Sequence, residues 1–78
     1  MTALQKHLSS ITQKGFDEFK ETAFSSYASS YGIDFGCDAT GKYAVKHKYG
    51  LDRFDDFEEA KNHYENGLIF GSEVYKKD

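Results

Sequence analysis

Two stretches in the middle of the chain alternate apolar and polar residues, and this alternation constrains the fold more than any other feature. The apolar positions of the first stretch are Tyr31, Ile33, Phe35 and Cys37, and those of the second are Tyr43, Val45, His47 and Tyr49. A period of two is typical of half-buried β-strands. Residues 38–41 between them read Asp-Ala-Thr-Gly, which suits a type I turn closed by a glycine with positive φ. We therefore predict a β-hairpin.

A helix is predicted after this hairpin, over residues 55–66. Asp55 is placed as the N-cap, with Glu58 reaching back to its amide as in a capping box. Phe57, Ala60 and Tyr64 recur on one face of a 3.6-residue period. The dipeptide Asn-Gly at 66–67 then predicts the end of the helix, because glycine readily adopts the left-handed conformation of a C-cap.

A third strand is predicted after the helix, with Leu68, Ile69 and Phe70 on one side of a bulge at Gly71 and with Val74 and Tyr75 on the other. A right-handed crossover would place it beside the first strand, in the sheet order 2-1-3. The last strand would then form an exposed edge, which could pair with a second copy of the chain.

Two helices are predicted before the hairpin. Leu4, Leu8 and Ile11 follow helical spacing after a Thr2 cap, so that the first helix covers residues 2–13. Gly15 is expected to break the pattern, with one kinked helix as the alternative, and a second helix is predicted from 16 or 17 to 29. Its apolar face would consist of Phe16, Phe19, Ala23 and Tyr27. The prediction is a single α+β domain over residues 1–78, in the order ααββαβ, with an antiparallel three-stranded sheet and the helices on one sheet face.

The composition narrows the expected cellular compartment and the expected state of the cysteine. The chain has 78 residues, a net charge of −3 and a single cysteine, Cys37, which rules out an internal disulfide framework. The sequence shows neither a signal peptide nor an apolar run long enough to span a membrane. We expect a cytoplasmic protein in which Cys37 is buried and unreactive.

Metal binding and catalysis are not expected from the spacing of the reactive side chains. The histidines lie at His7, His47 and His63, and no zinc-ligand spacing of histidine or cysteine occurs. The aromatic residues Phe54 and Phe57 interrupt the acidic segment where a calcium loop needs oxygen ligands. We therefore predict no cofactor, no metal and no enzymatic activity.

Two charged surfaces are candidate binding sites. The first is an acidic patch with tyrosine anchors, comprising Asp52, Asp55, Asp56, Glu58, Glu59, Tyr49 and Tyr75. Such a patch could dock on a basic groove that normally holds nucleic acid. The second is a basic strand face comprising Lys42, Lys46 and Lys48, with Arg53 close behind. A phosphate backbone could lie along it, although lysines on an exposed strand also prevent edge-to-edge aggregation.

The segment Phe-Asp-Asp-Phe-Glu-Glu-Ala-Lys at 54–61, ending in Asn-Gly at 66–67, follows a strand-turn-strand pattern. This unit of about 40 residues resembles the hairpin-plus-helix unit of small phage and mobile-element accessory proteins of the anti-CRISPR type. The resemblance implies an inhibitor that binds and blocks a larger host protein or ribonucleoprotein complex, in the host cytoplasm if the chain is phage-encoded. No functional residue can be carried over from it. The alternative is a small nucleic-acid-binding or transcription-modulating protein that uses the basic strand face.

Overall fold

The computed structural model describes residues 2–19, 25–38, 40 and 42–76. It confirms a mixed α+β domain but contains four strands, where three were predicted. The elements in chain order are α1 (Ala3–Ser9), α2 (Gln13–Phe19), β1 (Ser25–Ser30), β2 (Ile33–Cys37), β3 (Tyr43–His47), β4 (Gly50–Phe54), α3 (Phe57–Phe70) and a C-terminal 3₁₀ helix (Ser72–Tyr75). None of the described helices is long and apolar enough to cross a lipid bilayer.

The four strands form an antiparallel meander in the order β1-β2-β3-β4. The predicted order 2-1-3 is wrong, because each described strand pairs with its neighbour in sequence and no crossover is needed. Turns of two residues join β1 to β2 and β3 to β4, as the pairs Ser30–Ile33 and His47–Gly50 show. At the first turn Tyr31 has φ of 55° and Gly32 has φ of 77°, the combination that a type I′ turn requires.

The first strand replaces the C-terminal part of the predicted second helix. That helix, α2, ends at Phe19, and Ser25–Ser30 is a strand. Serine has a low helix propensity, and the two serine pairs flank Tyr27 and Ala28. In β1, Ala28 pairs with Phe35 of β2 and is buried. The predicted helical positions of Ala23 and Phe24 lie outside the described residues.

The first helix begins as predicted, while the break that follows it does not lie at Gly15. The Thr2 hydroxyl accepts from the Gln5 amide, and the Gln5 side chain accepts from the Thr2 amide, which completes a capping box. The helical pattern is interrupted between Ser9 and Gln13, and Gly15 lies inside α2. A Cβ at Gly15 would overlap the Tyr27 hydroxyl, so the glycine is needed for close packing of α2 against this ring.

The main helix is shifted and extended relative to its prediction. Its N-cap is Asp56, and not Asp55, since the Asp56 carboxylate accepts from the Glu59 amide at 3.0 Å. The helix passes through Gly67 and ends at Phe70, where Gly71 with φ of 90° forms the C-cap. The predicted third strand is therefore wrong: its first half is the last turn of α3, and its second half belongs to the 3₁₀ helix.

The core lies between the sheet and the helices and is mostly aromatic. Phe16 of α2 contacts Phe35 of β2 and Phe57 of α3, with ring centroids 4.5 and 5.4 Å apart. Tyr64 of α3 contacts Phe35 as well, at 5.4 Å. Both helices thus pack on the side of the sheet that carries Phe35. On the other side of the sheet, Lys46 of β3 is exposed and pairs with Asp34 of β2.

Candidate functional site

Two histidines and one aspartate converge where β3, β4 and α3 meet. His47 lies at the end of β3, Asp52 in the middle of β4, and His63 on α3. The Nε2 atoms of His47 and His63 each lie 2.8 Å from the same oxygen, Asp52 Oδ2. A potential ligand atom from each of the three residues lies within 4.8 Å of the other two. We refer to these three residues as the His-Asp-His cluster.

The hydrogen bonds around the cluster define the protonation of its carboxylate and one of its imidazoles. The Tyr49 amide donates to His47 Nδ1 at 3.2 Å, so in the neutral ring Nε2 carries the proton and donates to Asp52. Burial by itself would raise the pKa of Asp52. The hydrogen bonds from His47 and His63 outweigh this effect, so that the pKa of Asp52 lies below its usual value. The cluster is therefore an ionised carboxylate held between two imidazoles.

Aromatic rings fix the orientation of both imidazoles. The Tyr75 ring stacks on His47 with centroids 4.2 Å apart and an interplanar angle of 19°, and it contacts His63 at 4.5 Å. Phe54 packs on the other histidine ring, His63, at 4.9 Å. The Tyr75 hydroxyl donates to the His63 carbonyl at 2.5 Å. Burial raises the pKa of Tyr75 to about 12, so this donor stays protonated at neutral pH.

The burial of Tyr75 contradicts its prediction as an exposed contact residue. Tyr75 was expected to be an exposed anchor, but only 4% of its surface is exposed. It is buried because the 3₁₀ helix folds back onto α3, where Gly67 leaves room for the ring. A cavity of about 400 Å³ opens beside the cluster; its lining includes Asp52, His63 and Tyr75.

The predicted acidic patch is divided among several roles. Asp52 belongs to the His-Asp-His cluster, Asp56 caps α3, and Asp55 lies 2.8 Å from Lys42. Within the described residues, no cation lies within ion-pair distance of Glu58 or Glu59, and both are exposed. Of the predicted acidic patch, these two glutamates therefore keep an uncompensated charge on the helix surface.

The predicted basic strand face is largely neutralised by nearby carboxylates. Lys42 pairs with Asp55, and Lys48 lies in the turn after β3, 3.3 Å from Glu73. The Tyr49 hydroxyl donates to the same glutamate at 2.8 Å, and this hydrogen bond, together with Lys48, lowers the pKa of Glu73. Tyr49 is 38% exposed and therefore remains accessible.

Arg53 and Lys46 complete this face. Arg53 Nε lies 2.7 Å from Oδ2 of the buried Asp38. Asp38 Oδ1 accepts from the amides of Thr40 and Lys42. The hydrogen bond from the Thr40 hydroxyl is the largest of the effects that hold the pKa of Asp38 below its usual value, against the opposing effect of burial. Lys46 pairs in register with Asp34 of β2 and is exposed. The predicted turn is thus organised by Asp38, while Gly41 lies outside the described residues.

A second accessible surface lies along the outer face of α3. Exposed positions recur from its first turn to its last, namely Glu58, Glu59, Asn62, Asn66, Ile69 and Phe70. Ile69 is 50% exposed, Phe70 69%, and Val74 in the following 3₁₀ helix 45%. We call Ile69, Phe70 and Val74 the apolar end. The outer face of α3 therefore combines carboxylates at one end with large apolar side chains at the other.

Sequence reasoning identified the residues of the cluster but not their juxtaposition. His47 and His63 were considered as ligands and set aside because of their spacing, while Asp52 was assigned to the acidic patch. The sequence did not predict β4, the strand that places Asp52 opposite Val45 on β3. Cys37 is buried, as expected.

Comparisons with protein-family models, curated proteins and solved structures found no significant match to this chain. The resemblance to phage accessory proteins therefore stays a prediction. The class of protein must be inferred from the surfaces described above.

Proposed function

We propose that this chain is a non-enzymatic protein-binding module, an inhibitor that blocks a larger nucleic-acid-processing complex in the cytoplasm. The outer face of α3 would be its contact surface. The observation that carries the proposal is the continuity of Glu58 and Glu59 with Ile69 and Phe70 of the apolar end along one helix.

The two parts of this face suit different steps of binding. The uncompensated glutamates would steer the chain toward a positively charged surface and add specificity. Phe70 and its apolar neighbours would supply the desolvated centre of the interface, where aromatic side chains contribute most of the affinity. A surface evolved to hold nucleic acid offers the complementary positive charge.

The nucleic-acid alternative has less support. Three of its four cations, Lys42, Lys48 and Arg53, already lie beside carboxylates. Phosphate binding would have to displace these carboxylates, which reduces the gain from counterion release. Lys46 alone offers little affinity for a phosphate backbone.

The test is affinity capture from a lysate of the source cells, with the wild-type chain and two matched variants as bait. Phe70→Ser removes the aromatic side chain of the apolar end. We expect it to weaken partner binding about 30-fold or more, the size of a hot-spot effect. Leu51→Ser is the control, because Leu51 is also exposed but lies on β4, away from α3. The Leu51→Ser bait should recover the same partner as the wild type.

A partner recovered equally by wild type and Phe70→Ser would contradict the proposed surface. The capture should be repeated with Glu58→Gln/Glu59→Gln, for which we expect slower association and a weaker dependence on salt. A gel shift with the chain and nucleic acid tests the alternative. Binding at low salt that is lost in Lys46→Glu would favour a nucleic-acid-binding protein over an inhibitor.

A further inference from the structure

We propose that the His-Asp-His cluster is a binding site for a divalent first-row transition-metal ion, with His47, Asp52 and His63 as its protein ligands. This site is separate from the contact surface proposed above, because it lies between α3 and the sheet. The inference rests on the ligand set, its geometry and its support by neighbouring side chains.

The ligand set is chemically suitable. Imidazole nitrogen is a preferred ligand of Zn²⁺, Cu²⁺, Ni²⁺ and Fe²⁺, and two imidazoles with one carboxylate form a recurrent three-ligand arrangement. Magnesium and calcium prefer all-oxygen sites and do not suit two nitrogens. Zn²⁺ is therefore a suitable probe for the site.

Two of the three separations between the ligand atoms lie close to those around a bound ion. With metal–ligand distances near 2.1 Å, adjacent ligand atoms lie about 3.0 Å apart around an octahedral ion and about 3.4 Å apart around a tetrahedral one. The two Nε2–Oδ2 separations are both 2.8 Å. Binding thus needs each of these two separations to open by roughly 0.2–0.6 Å. The two Nε2 atoms, which lie within 4.8 Å of each other, must approach to a similar spacing.

The surroundings hold the ligands in place and leave access from one side. His47 is buried against the Tyr75 ring, and His63 is held between Tyr75 and Phe54. Such supporting contacts orient ligands and strengthen binding. The cavity of about 400 Å³ borders Asp52 and His63. It gives the ion an entry path and provides room for water to complete the coordination.

Metal binding must move the ring protons away from the ligand nitrogens, and this produces a local signature. Each Nε2 that donates to Asp52 must give up its proton, so that its lone pair can bind the ion. A neutral imidazole carries one N–H proton, so loss of the His47 Nε2 proton to solvent must be balanced by uptake of a proton at Nδ1 for the ligand to stay neutral. Nδ1 can then no longer accept from the Tyr49 amide, so that the present hydrogen bond at 3.2 Å is broken. The turn at Lys48 and Tyr49 should therefore respond to the ion.

The experiment is a calorimetric titration of ZnCl₂ into the full chain, with affinity tag and residual metal removed. We expect one ion per chain, with a Kd of about 10 μM or lower. His63→Asn and Asp52→Asn should each weaken binding at least about 10-fold. The matched control is His7→Asn, because His7 bonds to Tyr64 outside the cluster, and its affinity should stay within about twofold of the wild type.

Amide NMR spectra of the wild type with and without Zn²⁺ provide a readout that needs no variant to fold. The amide resonance of Tyr49 should show one of the largest chemical-shift changes on addition of Zn²⁺. The absence of saturable binding up to about ten times the expected Kd would overturn the proposal, as would unchanged affinity in folded His63→Asn. A bound ion that leaves the Tyr49 amide unshifted would exclude Nε2 ligation by His47. Phe70→Ser should keep full Zn²⁺ affinity, so that failure of the proposed contact surface and failure of the metal site are distinguishable.

Discussion

Phe16→Ala should lower the free energy of unfolding by about 3–5 kcal/mol, the usual cost of removing a fully buried phenylalanine. Phe16 has no exposed surface, and its ring contacts Tyr27, Phe35, Tyr43 and Phe57. These rings belong to three strands and to α3. The substitution would therefore open a cavity at the point where the N-terminal helices join the rest of the domain.

Such a loss is large for a domain of this size, whose total stability is expected to be about 4–12 kcal/mol. Urea denaturation followed by circular dichroism measures it. Phe70→Ala is the matched control, because the same atoms are removed from a side chain that is 69% exposed; its stability should change by less than about 0.5 kcal/mol. Equal effects of the two substitutions would contradict the placement of α2 over the sheet.

Gly67→Ala should destabilise the protein by about 1–2 kcal/mol, although alanine is the better helix former by about 1 kcal/mol. The reason is steric. A Cβ at this position would overlap the Tyr75 hydroxyl and ring, and overpacking of this kind typically costs about 1–3 kcal/mol. Displacement of Tyr75 would also disturb the ring that stacks on His47.

A double-mutant cycle separates this steric effect from a loss of glycine flexibility. In a Tyr75→Ala background the overlap is gone, so Gly67→Ala should become neutral or stabilising. Asn66→Ala, at the neighbouring exposed helix position, should raise stability by a few tenths of a kcal/mol in either background. If Gly67→Ala is equally destabilising with and without Tyr75, then the glycine acts through its backbone, as a helix end would.

The elements that sequence reasoning identified correctly all have strong local signals. The alternation around Phe35 and Val45 predicted β2 and β3, because Ile33, Phe35, Tyr43 and Val45 are large, apolar and buried. Thr2 predicted the start of α1, because its side chain can cap the first turn of a helix, and this cap is present. Asp38 predicted the turn because its carboxylate accepts from the amides that follow it.

The edge strands were missed because their sequences lack that alternation. β1 is mostly serine, and Ala28, which is buried, is small. β4 exposes Leu51 and Arg53, so its pairing with β3 leaves no apolar pattern. In both cases the neighbouring central strand supplies the hydrogen bonds and the packing.

The end of α3 and the candidate metal site were missed for a related reason. Glycine is typical of a helix end, but Gly67 lies inside α3. Its small size leaves room for the ring of Tyr75, a residue eight positions later. The His-Asp-His cluster depends on β4, which brings Asp52 to His47 across a hairpin and presents both to α3. Long-range packing of this kind leaves no signal in residue spacing.

The strands β3 and β4, the helix α3 and the 3₁₀ helix converge on one site. Nuclear Overhauser effects between side-chain ring protons of the isotope-labelled chain test it most directly. The structure predicts strong effects from Tyr75 to both His47 and His63, since the ring centroids lie 4.2 and 4.5 Å apart. A folded protein in which Tyr75 shows no effect to either imidazole would contradict the site and the proposal built on it.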